Sequence, residues 1–191
     1  STGGPPVLES IVSGLRGRPT RPVFIAQHMP AIFTESLASR LDTMGEATVR
    51  LAKDGERIEN GVIYIAEGGK HLRLQQRRGA VVLDVSGEPS EALYKPSVNE
   101  LFGSAASVYG RRVLGVMLTG MGEDGTEGSR PLHAAGAQLV AQSPASSVVY
   151  GMPRAVVQAG LAKASLDVQQ ICELVSDAAG CDGASGLLRT A

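Results

Sequence analysis

Three residues of this sequence have the types and settings that nucleophilic catalysis needs. Ser1 opens Ser1-Thr2-Gly3-Gly4, His28 follows the apolar run Val23-Phe24-Ile25-Ala26 and Gln27, and Asp124 lies in Thr119-Gly120-Met121-Gly122-Glu123-Asp124-Gly125. A serine hydroxyl is too weak an acid to attack an ester unaided, so it needs a base within hydrogen-bond reach, and that base needs an orienting acceptor. Ser1, His28 and Asp124 supply those three roles. Each also has a plainer use: a histidine at a strand end can cap the next helix, and an aspartate before glycine is commonly a turn residue. The other two histidines lack such a setting. His71 alternates with Leu72 and Leu74 in a strand pattern and is expected to face solvent, while His133 lies on a helix beside two alanines.

On the residues alone a serine hydrolase is the leading reading, with two alternatives open. The glycine-rich segments at 1–4 and 120–125 could cradle phosphates at helix N-termini in a nucleotide-binding module, although no Walker or dinucleotide fingerprint accompanies them. An N-terminal-nucleophile amidohydrolase would use the amino group of Ser1 as its own base, and would leave His28 without a task.

The elements that must position these loops are legible as alternating patterns. Pro5 and Pro6 precede Val7, Leu8, Ile11, Val12 and Leu15 at helical spacing, with proline tolerated in a first turn. Residues 23–26 form a short apolar run of the kind covered on both faces of a sheet. Phe33, Leu37 and Leu41 recur every four residues, and 47–51 offers a strand before the Asp54-Gly55 turn. Segments 62–66, 71–75 and 80–85 are strand candidates separated by Gly68-Gly69 and Arg78-Gly79, and are expected as a local antiparallel insertion.

Ser97-Val98-Asn99-Glu100 has the form of a capping box ahead of a helix carrying Leu101, Phe102, Ala105, Val108 and Tyr109. A buried strand at 113–118 leads into the glycine-rich loop. Because an interior proline costs about 3 kcal/mol, the next helix is expected to begin late, near Pro131. A strand at 138–142, a short helix opened by Pro153, a strand at 161–164 and a helix capped by Asp167 follow, and from Gly180 the composition reads as a tail. The domain is therefore expected at 1–179. This alternation predicts an α/β fold with a doubly wound, mainly parallel sheet, helices on both faces and a local antiparallel hairpin. Such sheets bind ligands beyond the carboxyl ends of their strands, where the three nominated loops lie.

Composition narrows the classes. With 43% apolar and 19% charged residues, the 191-residue chain has enough apolar content for one buried core and is unlike a disordered polymer. The net charge of −1 and the scatter of basic residues exclude a phosphate-tracking stripe, so no nucleic acid partner is expected. No apolar run reaches the roughly 18–20 residues of a membrane span, and no signal peptide is legible, so no direct membrane insertion and a cytoplasmic location are expected. Cys172 is expected in the core and Cys181 as a free thiol in the tail, without a disulfide.

Four ordered segments resemble the catalytic domain of the chemotaxis protein-glutamate methylesterases, the CheB family, along nearly the whole chain: Ser1-Thr2-Gly3-Gly4, Gln27-His28-Met29-Pro30, 118–125, and Val148-Val149-Tyr150-Gly151-Met152-Pro153-Arg154-Ala155. Lys95-Pro96-Ser97-Val98 and Gly68-Gly69-Lys70-His71-Leu72 match as well. The resemblance implies Ser1 as nucleophile, His28 as general base and then acid, and Asp124 as the group that fixes the imidazole. It also implies that the Met121 backbone N–H faces the oxyanion and that Thr2 lines the site. The implied activity is hydrolysis of glutamate 5-methyl esters, with possible deamidation of glutamines, on the cytoplasmic part of methyl-accepting chemotaxis receptors. No metal or cofactor is implied. The family places an apolar strand directly before its serine and commonly carries a receiver domain, and neither corresponds to a segment of this chain. The order serine, histidine, aspartate differs from the serine, acid, histidine order of α/β-hydrolases. Because a methylated glutamate on a helix projects only a short side chain, the site is expected to be an open cleft flanked by 29–33 and 150–154. Arg154 there is either a docking cation or a structural ion-pair partner.

Overall fold

The computed structural model describes residues 2–181. Pro5 and Pro6 stand in the first turn of α1 (Gly4–Ser13), where a missing N–H leaves no helical bond unmade. The chain continues through β1 (Val23–Ile25), α2 (Ala31–Asp42), β2 (Thr48–Leu51), β3 (Val62–Ile65), β4 (His71–Arg77) and β5 (Ala80–Ser86). Its second half comprises α3 (Val98–Tyr109), β6 (Leu114–Met117), α4 (Thr126–Ala134), β7 (Gln138–Gln142), α5 (Met152–Gln158), β8 (Ala164–Leu166) and α6 (Val168–Ala179).

The expected α/β architecture is present, with its parallel strands in two groups. β1, β3 and β2 pair in parallel in that order, with Ile63 opposite both Val23 and Val49. β6, β7 and β8 form a second parallel group, with Val140 opposite Val116 and Ala164. β4 and β5 make the antiparallel hairpin, closed at Arg78-Gly79, both with positive φ as a tight hairpin turn requires. Residues 62–65 are a correction to the expected antiparallel insertion: β3 is the central strand of a parallel group. All four of its residues are buried, which explains the unbroken Val-Ile-Tyr-Ile run.

The period-2 geometry of β3 divides the core. Ile63 and Ile65 meet Leu8 and Val12 of α1 and Leu37, Ala38 and Leu41 of α2. Val62 and Tyr64 point the other way, onto Leu72, Leu74 and Leu83 of the hairpin and Leu101 and Ala105 of α3. In the second group Met117, Leu139 and Ala141 pack with Val156 of α5, while Val116 and Leu166 meet α6 through Ile171. Helix α1 joins the two halves, because Leu8 and Val12 face the first group while Val7 and Ile11 pack with Ile171.

Other expectations are corrected. Phe33 continues the spacing of Leu37 and Leu41 but is exposed, because it lies in the first turn of α2, near the sheet's carboxyl edge. Helix α4 begins at Thr126 and keeps Pro131 inside it. Its start is secured from elsewhere: the Asn99 side chain accepts from the Gly125 and Gly128 N–H groups, and Ser129 Oγ donates to the Gly125 carbonyl. Leu132, next to the proline, is wholly buried, and that packing offsets the lost bond. The last strand runs over 164–166, slightly beyond the expected 161–164. The cysteines exchange environments. Neither forms a disulfide, but Cys181 is buried and Cys172 only partly so, since Gly180 in a left-handed C-cap turns the chain back and Cys181 N–H donates to the Ser176 carbonyl. The rest of the expected tail lies outside the described residues.

Candidate active site

Three strand ends converge on one edge. β1 runs into Gln27-His28-Met29-Pro30 and α2, β6 into 119–125 and α4, and β7 into 143–151 and α5. The last two loops are fastened together by backbone. Gly120 N–H donates to the Val149 carbonyl, and the Gly151 and Met152 N–H groups donate to the Gly120 carbonyl. Thr119 Oγ1 lies 3.0 Å from the Val149 carbonyl and 2.9 Å from its N–H. Residues 2–4 are threaded into this edge: the Thr2 carbonyl is 3.3 Å from Thr119 Oγ1, Gly3 packs on Val148, and Gly4 abuts the Gln27 side chain.

His28 Nε2 is 2.7 Å from Asp124 Oδ2. The contact is shielded, with side-chain exposures of 12% for His28 and 3% for Asp124. An ionised carboxylate only accepts, so Nε2 carries the proton in this pair and Nδ1 is left with the lone pair that a base requires. Three further donors hold the aspartate: Val98 N–H at 2.7 Å to Oδ2, Ser97 Oγ at 2.8 Å to Oδ1, and Asn99 N–H at 3.2 Å to Oδ1. Burial alone would push the Asp124 carboxyl up; the hydrogen bonds from His28, Val98, Ser97 and Asn99 outweigh it and hold the group below its ordinary value. On one face of the imidazole lies the Tyr94 ring, stacked at 4.4 Å between centroids and 10° between planes.

Of the residues nominated from sequence, His28 and Asp124 are thus in direct contact, and Ser1 lies outside the described residues. Thr2 is exposed beside Thr119, and Met121 is 66% exposed on the glycine-rich loop. The Met121 backbone N–H donates no hydrogen bond among the described residues. No cluster among these residues could hold a metal ion.

Sequence reasoning missed Tyr94 and misread Ser97 and His71. The capping box expected at 97–100 does not form, because Ser97 Oγ is spent on Asp124 and Glu100 pairs with Arg73 at 3.2 Å. His71 is wholly buried instead of facing solvent: the hairpin folds it inward beneath residues 89 and 97, where its two ring nitrogens find partners. The signal for these residues was the segment Lys95-Pro96-Ser97-Val98, which carries no catalytic residue type at a strand end.

Beside the His28–Asp124 pair lies a surface cleft of about 720 Å³ whose walls include Leu93, Tyr94, Met121, Glu123, Tyr150 and Arg154. The 29–33 segment is also apolar and exposed at Ile32 and Phe33. Arg154 is exposed and makes no ion pair among the described residues.

A family model described as CheB methylesterase matches residues 1–175. The chain belongs to the CheB methylesterase family. It is 49% identical over 178 residues to a protein of Oleidesulfovibrio alaskensis named protein-glutamate methylesterase/protein-glutamine glutaminase 1, covering 93% of this chain and 48% of that protein. A protein of Vibrio parahaemolyticus with the corresponding name is 46% identical over 173 residues, covering 91% of this chain and 47% of its own length. The chain thus spans about half the length of these curated relatives. The crystal structure of the Thermotoga maritima CheB methylesterase catalytic domain superposes with a TM-score of 0.87 at 38% identity, covering 93% of this chain and 94% of that one. No helix among the described residues is long and apolar enough to cross a membrane.

Proposed function

We propose that this chain hydrolyses glutamate 5-methyl esters on the cytoplasmic part of methyl-accepting chemotaxis receptors, with Ser1, His28 and Asp124 as its catalytic triad. The contact of His28 Nε2 with Asp124 Oδ2 carries the reading, since it leaves the Nδ1 base aimed away from the acid. Thr2 to Gly4 run between the Gln27 side chain and Thr119, which brings the serine's chain neighbours to the same edge as His28. The names of the relatives supply the substrate class.

In the proposed reaction Ser1 Oγ attacks the ester carbonyl while His28 Nδ1 takes the hydroxyl proton. The resulting imidazolium stays paired with Asp124, and the tetrahedral oxyanion is met by backbone N–H groups, that of Met121 among them; loss of one such donor typically costs about 2.7–4 kcal/mol of barrier. The C–O bond to the methoxy group breaks, and His28 returns its proton to release methanol. Water then attacks the glutamyl ester of Ser1 with His28 again as base, and the glutamate carboxylate and free serine are regenerated. A glutamine side-chain amide processed by the same steps would release ammonia.

The test is methanol release from receptor fragments carrying methylated glutamates, with Ser1→Ala as the blank. Release by the wild type and none by the variant is expected. Equal release from both would refute the assignment of the nucleophile, and none from either would refute the esterase reading.

A further inference from the structure

Asp124 accepts four hydrogen bonds, two on each oxygen. Oδ2 is shared by His28 Nε2 and Val98 N–H, and Oδ1 by Ser97 Oγ and Asn99 N–H. Rotation of the carboxylate that displaced Oδ2 from His28 would break the Oδ1 contacts as well. Of the three donors besides His28, only Ser97 Oγ is a side chain, and a serine at a helix start ordinarily turns its hydroxyl onto its own helix. Here it makes no cap bond. Something must hold it turned away.

That restraint comes from His71. Its Nδ1 accepts from the Ser97 N–H at 3.2 Å, and its Nε2 lies 3.3 Å from the Pro89 carbonyl oxygen. A nitrogen accepting from an amide carries no proton, and one facing a carbonyl must carry one, so His71 is a neutral imidazole in a single tautomer. It is 0% exposed, in the strand β4 that packs against α3. Backbone and hydroxyl of Ser97 are thereby fixed from opposite sides: N–H to His71, Oγ to Asp124.

We infer that Ser97 is a positioning residue of the reaction, a hydroxyl that His71 directs onto Asp124 so that the carboxylate presents Oδ2 to His28. This rests on the proposed triad, and it extends the chain of orientation from the base through its acid to a second histidine. Ser97 touches neither substrate nor His28; it acts through Asp124.

The experiment compares Ser97→Ala in the otherwise wild-type chain and in Asp124→Asn. A lost hydrogen bond to a charged group corresponds to roughly a 10- to 100-fold effect. Ser97→Ala should therefore lower kcat for methanol release by about tenfold or more, leave KM within about twofold, and cost little further in Asp124→Asn, since residues acting through one another do not add. Ser97→Thr, which keeps the hydroxyl, should recover most of the loss. A readout independent of turnover is the 15N spectrum of His28: Ser97→Ala should shift its tautomer populations away from the Nε2–H form. Ser104→Ala, which removes the hydroxyl oxygen that accepts from Leu74 N–H, should lower the melting temperature and leave the His28 resonances in place. The inference is overturned if the His28 spectrum is unchanged in Ser97→Ala, or if kcat falls by the same factor in both backgrounds. A wild type that releases no methanol would remove the esterase reading, and the spectrum alone would then decide the role of Ser97.

Discussion

Asn99 and Asp124 exchange helix caps. Asn99, in the first turn of α3, accepts through Oδ1 from the Gly125 and Gly128 N–H groups at the start of α4. Asp124, just before α4, accepts from the Val98 and Asn99 N–H groups at the start of α3. Neither helix has a side-chain cap from its own N-cap residue, Ser97 in α3 being committed elsewhere and Gly125 in α4 having no side chain. Ser97 donates to Asp124, and Gly125 holds φ at +96°, where a Cβ would come within 2.7 Å of Val98 and 2.5 Å of Met117. The exchange ties the loop carrying Asp124 to α3, so its stability and the proposed chemistry share residues.

A first prediction follows from that exchange. Loss of a side-chain cap typically costs about 0.5–2 kcal/mol, and Asn99 satisfies two N–H groups at once. Asn99→Ala should fall at the upper end of that range in urea unfolding, and kcat should fall with it because the loop carrying Asp124 loosens. If Asn99→Ala unfolds at the wild-type urea midpoint, the side chain is not holding α4.

Asp124 also gives stability a pH dependence of known sign. Its folded-state pKa is lowered, so between the folded value and the ordinary aspartate value of about 3.9 the unfolded chain binds the extra proton and stability rises with pH. The contribution is complete above the ordinary value and is lost as pH falls through the folded one. Asp124→Asn cannot titrate there. Below about pH 5 the stability gap between wild type and Asp124→Asn should therefore shrink as pH falls and the acid is protonated. A gap that widened on acidification would contradict the lowered pKa.

The three proposed catalytic groups should behave as one unit. Ser1→Ala and His28→Ala should each remove nearly all methanol release, and the double variant should be scarcely slower than either, as in triads whose members are individually indispensable. Asp124→Asn should lower kcat by about 10⁴ through the wrong imidazole tautomer. Single-turnover kinetics on one methylated receptor preparation measures all four. Multiplicative losses for Ser1 and His28 would mean that the two act in separate steps.

How far the sequence led is clearest at particular residues. His28 and Asp124 were legible because both stand at strand ends in an alternating α/β pattern, and the helix capped by Asp167 formed as read, with Gln170 completing a capping box. At Ser97 the local pattern was correct in kind and wrong in partner, since a cap motif records which groups want hydrogen bonds and not which distant acceptor wins them. His71 failed for a related reason: strand alternation assigns faces relative to neighbours, and the cover over β4 comes from residues 89–97, whose path no local pattern fixes. For β3 the turn signals around it suggested a hairpin partner, whereas its burial on both faces came from pairing with strands distant in sequence.

Recognition of the proposed receptor substrate should depend on the cleft walls more than on the proposed triad. Arg154 stands exposed on the cleft without an ion pair among the described residues, and Leu93 and Met121 offer apolar surface on its walls. An unpaired cation beside apolar residues suits an amphipathic helix bearing carboxylates, and contacts remote from the reacting carbonyl help to orient it. Arg154→Ala should therefore reduce turnover of methylated receptor several-fold while leaving hydrolysis of a small activated ester and the melting temperature unchanged. Because the attraction is between exposed charges, it is screened within about 8–10 Å at physiological salt. Added salt should slow the wild type on receptor and bring it toward the variant, whose own rate should respond little. Equal losses on receptor and small ester would place Arg154 in the architecture of the site, and a salt response identical in both proteins would show that the docking charge lies elsewhere.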